Sequence, residues 1–339
     1  MKTILAIVLI GLVLSVPVQG EKLGEFIEVN NPNFIQISGG KIYVLEKANV
    51  YVYSLKDLTL IKKFGKQGNG PGELNVGGPV IGQMQLVGKH VCVNTFNKIV
   101  RFSLDGTFVD EARFPFIALQ ATPFGDGFAI SKLAMSDTGA NRVGVFLFPK
   151  SLENGKELYG RAYMDFRKTG KLELVPKLFM IRAAGDRLVM LDHEEGGIMK
   201  VFSKDGTQVL KAPLNIEAVK TTESFRAKLM EWTKSQPQFK MIPEQVLKMI
   251  YVPDVLPSFK NFITADGKIF VHTFLQKDGK SKLVVLDMKG KPLKNFWLEG
   301  LEKDIIMPAP YAYYQGGLYY LKENVDEEVI ELHKVKLEF

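Results

Sequence analysis

The chain of 339 residues carries 44 Lys and Arg against 37 Asp and Glu, a formal charge of +7, with four histidines and one cysteine. The lone Cys92 excludes an internal disulfide and the cysteine clusters of structural zinc sites. Basic residues lie scattered among acidic ones, which suits solubility and gives no nucleic-acid footprint.

At the N-terminus, Lys2 precedes an apolar run from Ile4 to Val16, followed by Pro17-Val18-Gln19-Gly20. A basic start, an apolar stretch too short to cross a bilayer comfortably, and small or β-branched residues at Val18 and Gly20 predict a signal peptide over 1–20, cut before Glu21. An uncleaved N-terminal anchor is the alternative. No cysteine lies near the cut for lipidation, and no second apolar run is long enough to span a membrane. The product, residues 21–339, would carry about +6 and is expected in the periplasm or outside the cell.

Beyond the cut, short and nearly continuous apolar runs recur after a glycine or Asp-Gly: Gly40 to Glu46, Gly88 to Asn94, Asp126 to Ser131, Asp186 to Asp192, Gly267 to Thr273 and Gly316 to Lys322. Such runs are expected of strands packed on both faces between neighbouring sheets. A weaker apolar strand precedes each, and one or two alternating strands follow. The first unit is the clearest: Asn33 to Ile37, the Gly39-Gly40 turn, Ile42 to Leu45, Val50 to Leu55, and Leu58 to Phe64. Asp105-Gly106, Asp205-Gly206 and Lys289-Gly290 are read as two-residue hairpins supplied with positive φ. In His90-Val91-Cys92-Val93-Asn94 the thiol takes an apolar position and is expected to be inert.

Six units of four short antiparallel strands predict an all-β, six-bladed β-propeller filling residues 21–339. The last unit ends after Val329 to Leu337 without a fourth strand. Phe26-Ile27-Glu28-Val29 is expected to supply it and close the ring, a loose N-terminal arm being the alternative.

The segment 215–258, between blades four and five, breaks the repeat and reads as helical. Phe225, Leu229 and Trp232 form one stripe, and Pro243 suits the first turn of a second helix carrying Val246, Met249 and Ile250. Such an insertion is read either as a lid on the face where ligands enter a propeller's channel or as a decoration on the rim.

The stretch Phe64-Gly65-Lys66-Gln67-Gly68-Asn69-Gly70-Pro71-Gly72-Glu73 resembles the interblade linker of the NHL-repeat and related bacterial (TolB-like) six-bladed propeller families. Asn31-Pro32 before the first strand and Asn49 before Val50 fit the same layout. The resemblance is good over residues 31–79 and loose elsewhere. It implies the scaffold and no single activity. Strands on both sides of the glycine-rich stretch argue against a phosphate loop, which needs a strand before and a helix after.

Aligning the six runs gives one polar column: Glu46, Asn94, Ser131, Asp192, Thr273 and Lys322. Six-fold geometry would set it around the channel mouth, as ligands for a polar molecule or a hard cation such as Ca²⁺. The alternative is that these side chains stabilise the turn into the third strand, and Lys322 weighs against a six-ligand metal ring. His272 stands where other blades carry an aliphatic residue, so it either faces the channel or is a satisfied core histidine. His193 is a further candidate at that mouth, with an exposed loop end as the alternative.

No nucleophile elbow, paired-His metal motif or Ser-His-Asp set stands out. The sequence therefore favours an exported, non-catalytic, monomeric propeller that binds a protein or a small polar ligand. The competing reading is a hydrolase or lyase resembling the calcium-dependent six-bladed lactonases, with Glu46, Asn94 and Asp192 as metal ligands by that resemblance.

Overall fold

The computed structural model describes residues 15–18, 20–76, 82–95, 97–135, 141–163, 170–193, 196–236, 239 and 242–339. Most of the expected signal segment, residues 1–14 and 19, lies outside them. Six antiparallel sheets follow one another along the chain as six blades. Blade one comprises Phe34–Ser38, Lys41–Glu46, Asn49–Ser54 and Leu60–Phe64, and blades two, three and four repeat the order from Gln83, Ala118 and Met180. Blade five begins at Phe259, and blade six at Tyr311.

The second strand of each blade is the most deeply packed, as the continuous apolar runs predict. Ile42, Val44 and Leu45 are fully buried, as are Leu188, Val189, Met190 and Leu191. The hydrophobic clusters bridge neighbouring blades: Leu45 and Val50 pack with Val91 and Val93, and Val189 and Leu191 with Phe262 and Val271. Between the first and second strands every blade turns through two residues. Three of these turns have both residues at positive φ (Gly39-Gly40, Asp266-Gly267, Gln315-Gly316) and three have glycine in the first place. The later Asp-Gly and Lys-Gly pairs differ from the two-residue reading. They belong to three-residue loops in which the Gly106, Gly206 and Gly290 amides bond Ser103, Ser203 and Asp287, and a register shift follows. One residue at positive φ, then a bulge, keeps the outer strand in line.

Ring closure comes from the N-terminal side, but earlier in the chain than Phe26 to Val29. Glu21–Phe26 pairs antiparallel with Val329–Lys336 and completes blade six. Phe26 ends that strand, 1% exposed and tilted against the Tyr53 ring at 4.4 Å, whereas Ile27 points into solvent. Ser15–Val18 runs parallel to Asn295–Leu298 as a fifth strand on blade five.

The glycine-rich linker between blades one and two is held by charged side chains. The Glu73 carboxylate accepts from the Gly70 amide at 2.9 Å and pairs with Lys66. From blade two, the fully buried Lys98 ammonium donates to the Gly70 carbonyl at 2.8 Å and to Glu111 at 2.9 Å, and the Gly72 amide donates to the same carboxylate oxygen.

Cys92 is 2% exposed, and burial pushes its thiol up to about 12. An aromatic disulfide reagent is expected to leave native protein unlabelled and to label the chain in denaturant. Fast labelling of the native form would show that blade two opens locally.

Candidate functional site

In each blade the end of the second strand, the start of the first and the connection to the next blade share one face. That follows from pairings such as Phe34 with Leu45 and Val50 with Phe64. Segment 215–258 emerges on this face. Its first helix, α1 (Glu223–Ser235), is capped by Thr222, whose hydroxyl accepts from the Phe225 amide at 3.1 Å. Leu229 is fully buried in a cluster with Val175, Val252, Leu256 and Phe274, flanked by Ile305 and Ile306. The expected second helix is a single turn, α2 (Glu244–Leu247); Ile250–Tyr251 leaves it to pair with Leu172–Glu173. Those few residues satisfy their backbone better across a parallel ladder than in a longer helix.

On the ring axis lies a cavity of about 340 Å³, lined by the first strands of all six blades and by the connection into blade six. None of Glu46, Asn94, Ser131, Asp192, Thr273 or Lys322 lines it, because the first strands stand nearer the axis than the second. Nor do the described residues of segment 215–258, which pack instead on Ile306, a residue of the cavity wall.

Half of the polar column is engaged within the protein. Glu46 accepts from the backbone amides of Asn30 and Asn31, tying the closing segment to blade one. Asp192 accepts from the Tyr159 hydroxyl at 2.7 Å and from the Arg161 guanidinium at 3.2 Å, tying blade four to blade three. Thr273 donates to the Lys282 carbonyl at 3.1 Å and accepts from the Leu275 amide. Asn94 and Ser131 are 1% exposed with no side-chain hydrogen-bond partner, and Lys322 faces solvent. As calcium ligands, Glu46, Asn94 and Asp192 fit poorly. The Asp192 carboxylate already faces a guanidinium, whose charge opposes a second cation.

Both histidines sit differently from the readings that put them at an open mouth. His193 is not an exposed loop end: it is 6% exposed and stacks on Phe259 at 3.9 Å. Burial, helped by Arg161 and Lys177, pushes its imidazole down to about 3. Its neighbours Glu194 and Glu195 lie outside the described residues. His272 is buried in the wall of blade five and does not line the cavity. Its Nε2 lies 3.3 Å from Glu302, while Nδ1 has no partner.

Glu302 is the centre of a compact cluster: Lys260 and Ser281 donate to its two oxygens, and His272 shares one of them. Burial opposes its charge, but His272 and Lys260 outweigh this and hold its carboxyl down at about 2. Lys260 is also a cavity-lining residue, together with Arg182 and Lys303, and no Asp or Glu is among the described residues of that lining. Arg182 donates to the Ile181 carbonyl at 2.8 Å and to Asn261 at 3.1 Å, with no carboxylate partner among the described residues. Lying deep in the ring, it is drawn down to about 10 by burial and keeps its charge at neutral pH.

Sequence reading passed over these three cations. The available signal was Arg182 within Phe179-Met180-Ile181-Arg182-Ala183-Ala184, a charge inside an otherwise apolar strand.

Residues 25–130 match the model of a family, DUF5128, described as a 6-bladed beta-propeller. No curated protein matches the chain. Among solved structures, a member of the duf4221 family from Bacteroides vulgatus superposes with a TM-score of 0.50, covering 96% of this chain and 98% of its own at 11% identity. The luciferin-regenerating enzyme gives 0.46, with 94% and 95% covered at 9% identity. The β-propeller domain of Cps50 (Swd1) from Myceliophteria thermophila gives 0.45, with 94% and 100% covered at 9% identity. Identities this low bear on the fold and on nothing else. From the matched segment and its six blades, the chain is a six-bladed β-propeller.

Proposed function

We propose that this chain is an exported, non-catalytic binding propeller of the NHL-like type, taking a small ligand into its central channel from the face that carries segment 215–258. The observation that carries the reading is the axial cavity, which gathers polar and apolar side chains from all six blades. Of the candidates read from sequence, Glu46, Asp192 and His193 are occupied in holding blades together, and the unengaged carboxamide of Asn94 is buried away from the cavity. The NHL-like assignment is supported by the linker from Phe64 to Glu73.

Export is supported by the geometry at Gly20 and Glu21. The closing strand begins at Glu21, so cleavage before it leaves blade six complete and returns blade five to four strands. Expression with the native leader in a bacterial host is expected to release a product whose first residue is Glu21. A cell-retained product that begins at Met1 would refute export. Purified 21–339 is expected to turn over no lactone, ester or phosphate ester, with or without calcium. Metal-dependent turnover would favour the lactonase-like reading instead.

A further inference from the structure

We propose that the axial cavity is a site for a small organic carboxylate, its anionic group held by Arg182, Lys260 and the Tyr311 hydroxyl and its apolar body lying against Phe34, Met84 and Phe179. The inference rests on the reading of the channel as the ligand site and adds the ligand's chemistry.

Three independent features of the lining converge on an acceptor-rich, negatively charged guest. The first is charge: among its described residues the lining holds three cations and no carboxylate; Glu302 answers Lys260 from behind, Asp304, Glu323 and Glu46 act on Lys303, and Arg182 is left without a carboxylate. Arg182 donates only to a carbonyl and a carboxamide, so it is satisfied as a donor but not as a charge. In a recess walled by apolar side chains, uncompensated positive charge attracts an anion far more strongly than it would at the surface.

The second feature is the direction of three of the lining amides, a further one, Gln83, having its oxygen unpartnered instead. The carboxamide oxygens of Gln85, Gln120 and Asn261 are taken by the Thr122 hydroxyl at 2.7 Å, the Ile181 amide at 2.8 Å and Arg182. No protein acceptor among the described residues takes their N–H groups, which remain the unengaged ends of three cavity-lining side chains. The third is Tyr311, a lining residue 4% exposed, whose hydroxyl is buried in the cavity wall without a partner. Burial raises its pKa, so it stays a neutral donor. A planar guanidinium flanked by a hydroxyl and amide N–H groups matches a planar carboxylate, and the aromatic and thioether walls match a hydrocarbon body.

The test uses 4-bromobenzoate and its neutral near-isostere 4-bromobenzamide on protein 21–339. Crystals soaked in each locate the bromine by anomalous scattering, and calorimetry gives the affinities. The expected result is bromine in the channel, benzoate binding about tenfold or more tighter than benzamide, and R182Q removing that preference. Equal affinities with bromine in the channel would overturn the carboxylate assignment and leave the channel standing as a binding site. Bromine absent from the channel with both probes would overturn both. The wild-type preference needs no variant, so the test holds even where R182Q fails to fold.

Discussion

Lys98→Ala is expected to lower the unfolding free energy by roughly 3–5 kcal/mol, read as a fall in the urea midpoint. The ammonium is fully buried and answers two acceptors at once, the Gly70 carbonyl in the linker and the Glu111 carboxylate on the outer strand of blade two. Removing it leaves a largely buried negative charge whose remaining partners, the Gly72 amide and the half-exposed Arg113, cannot replace a buried cation. The loss therefore reflects the cost of the stranded carboxylate more than the worth of the pair. Adding Glu111→Gln to Lys98→Met removes the stranded charge and fills the volume, so the double variant is expected to recover more than half of the loss. A cost below about 1 kcal/mol for Lys98→Ala would mean that solvent reaches this pair and that the linker is not anchored through it.

The same pair explains why the linker was legible as a motif and opaque as a mechanism. Glycines at 65, 68, 70 and 72 announce an irregular backbone, and Glu73 sits where it can cap that backbone itself. Lys98 and Glu111 come from a strand and its neighbour later in the chain, and nothing local marks Lys98 as buried. The blades were readable for the opposite reason. A second strand packed on both faces must be apolar throughout, and a two-residue turn must supply positive φ, so Gly40 to Glu46 and its five counterparts carry their structure in their own composition.

First strands carry no such constraint, because one side opens on the axial cavity. Phe34–Ser38 alternates between buried and half-exposed residues, and Met180–Ala184 has a single buried one. Arg182 and Lys260 thus read as ordinary scattered charge until the ring brings their strands together. The polar column drew attention outward to the second strands, where Asp192 and Glu46 serve the joints between blades. His193 looked exposed for a similar reason: the Phe259 ring that covers it belongs to the next blade.

Burial of neutral His193 sets the second large expectation, a loss of stability as pH falls from 6.5 to 4.5. Its imidazole lies at about 3 in the fold and near 6.5 in the unfolded chain, so within that window the unfolded state binds a proton that the folded state refuses. Stability is therefore full above about 6.5 and falls toward 3, by about 2–3 kcal/mol over the first two pH units for this one group. His272, also lowered by burial against the opposing pull of Glu302, acts in the same direction. Carboxylates add to the loss only at lower pH: those of Glu302 and Glu331, held at about 2, lose their contribution as pH falls below about 4.5. His193→Phe isolates the effect. The ring already stacks on Phe259 and its Nδ1 bonds nothing, so a phenyl group keeps the packing and cannot be protonated. Its denaturant midpoints between pH 6.5 and 4.5 are expected to fall clearly less than those of wild type. Superimposable profiles would mean that His193 takes up its proton in the folded protein, and that the cation-rich face around Arg161 and Lys177 tolerates one more charge.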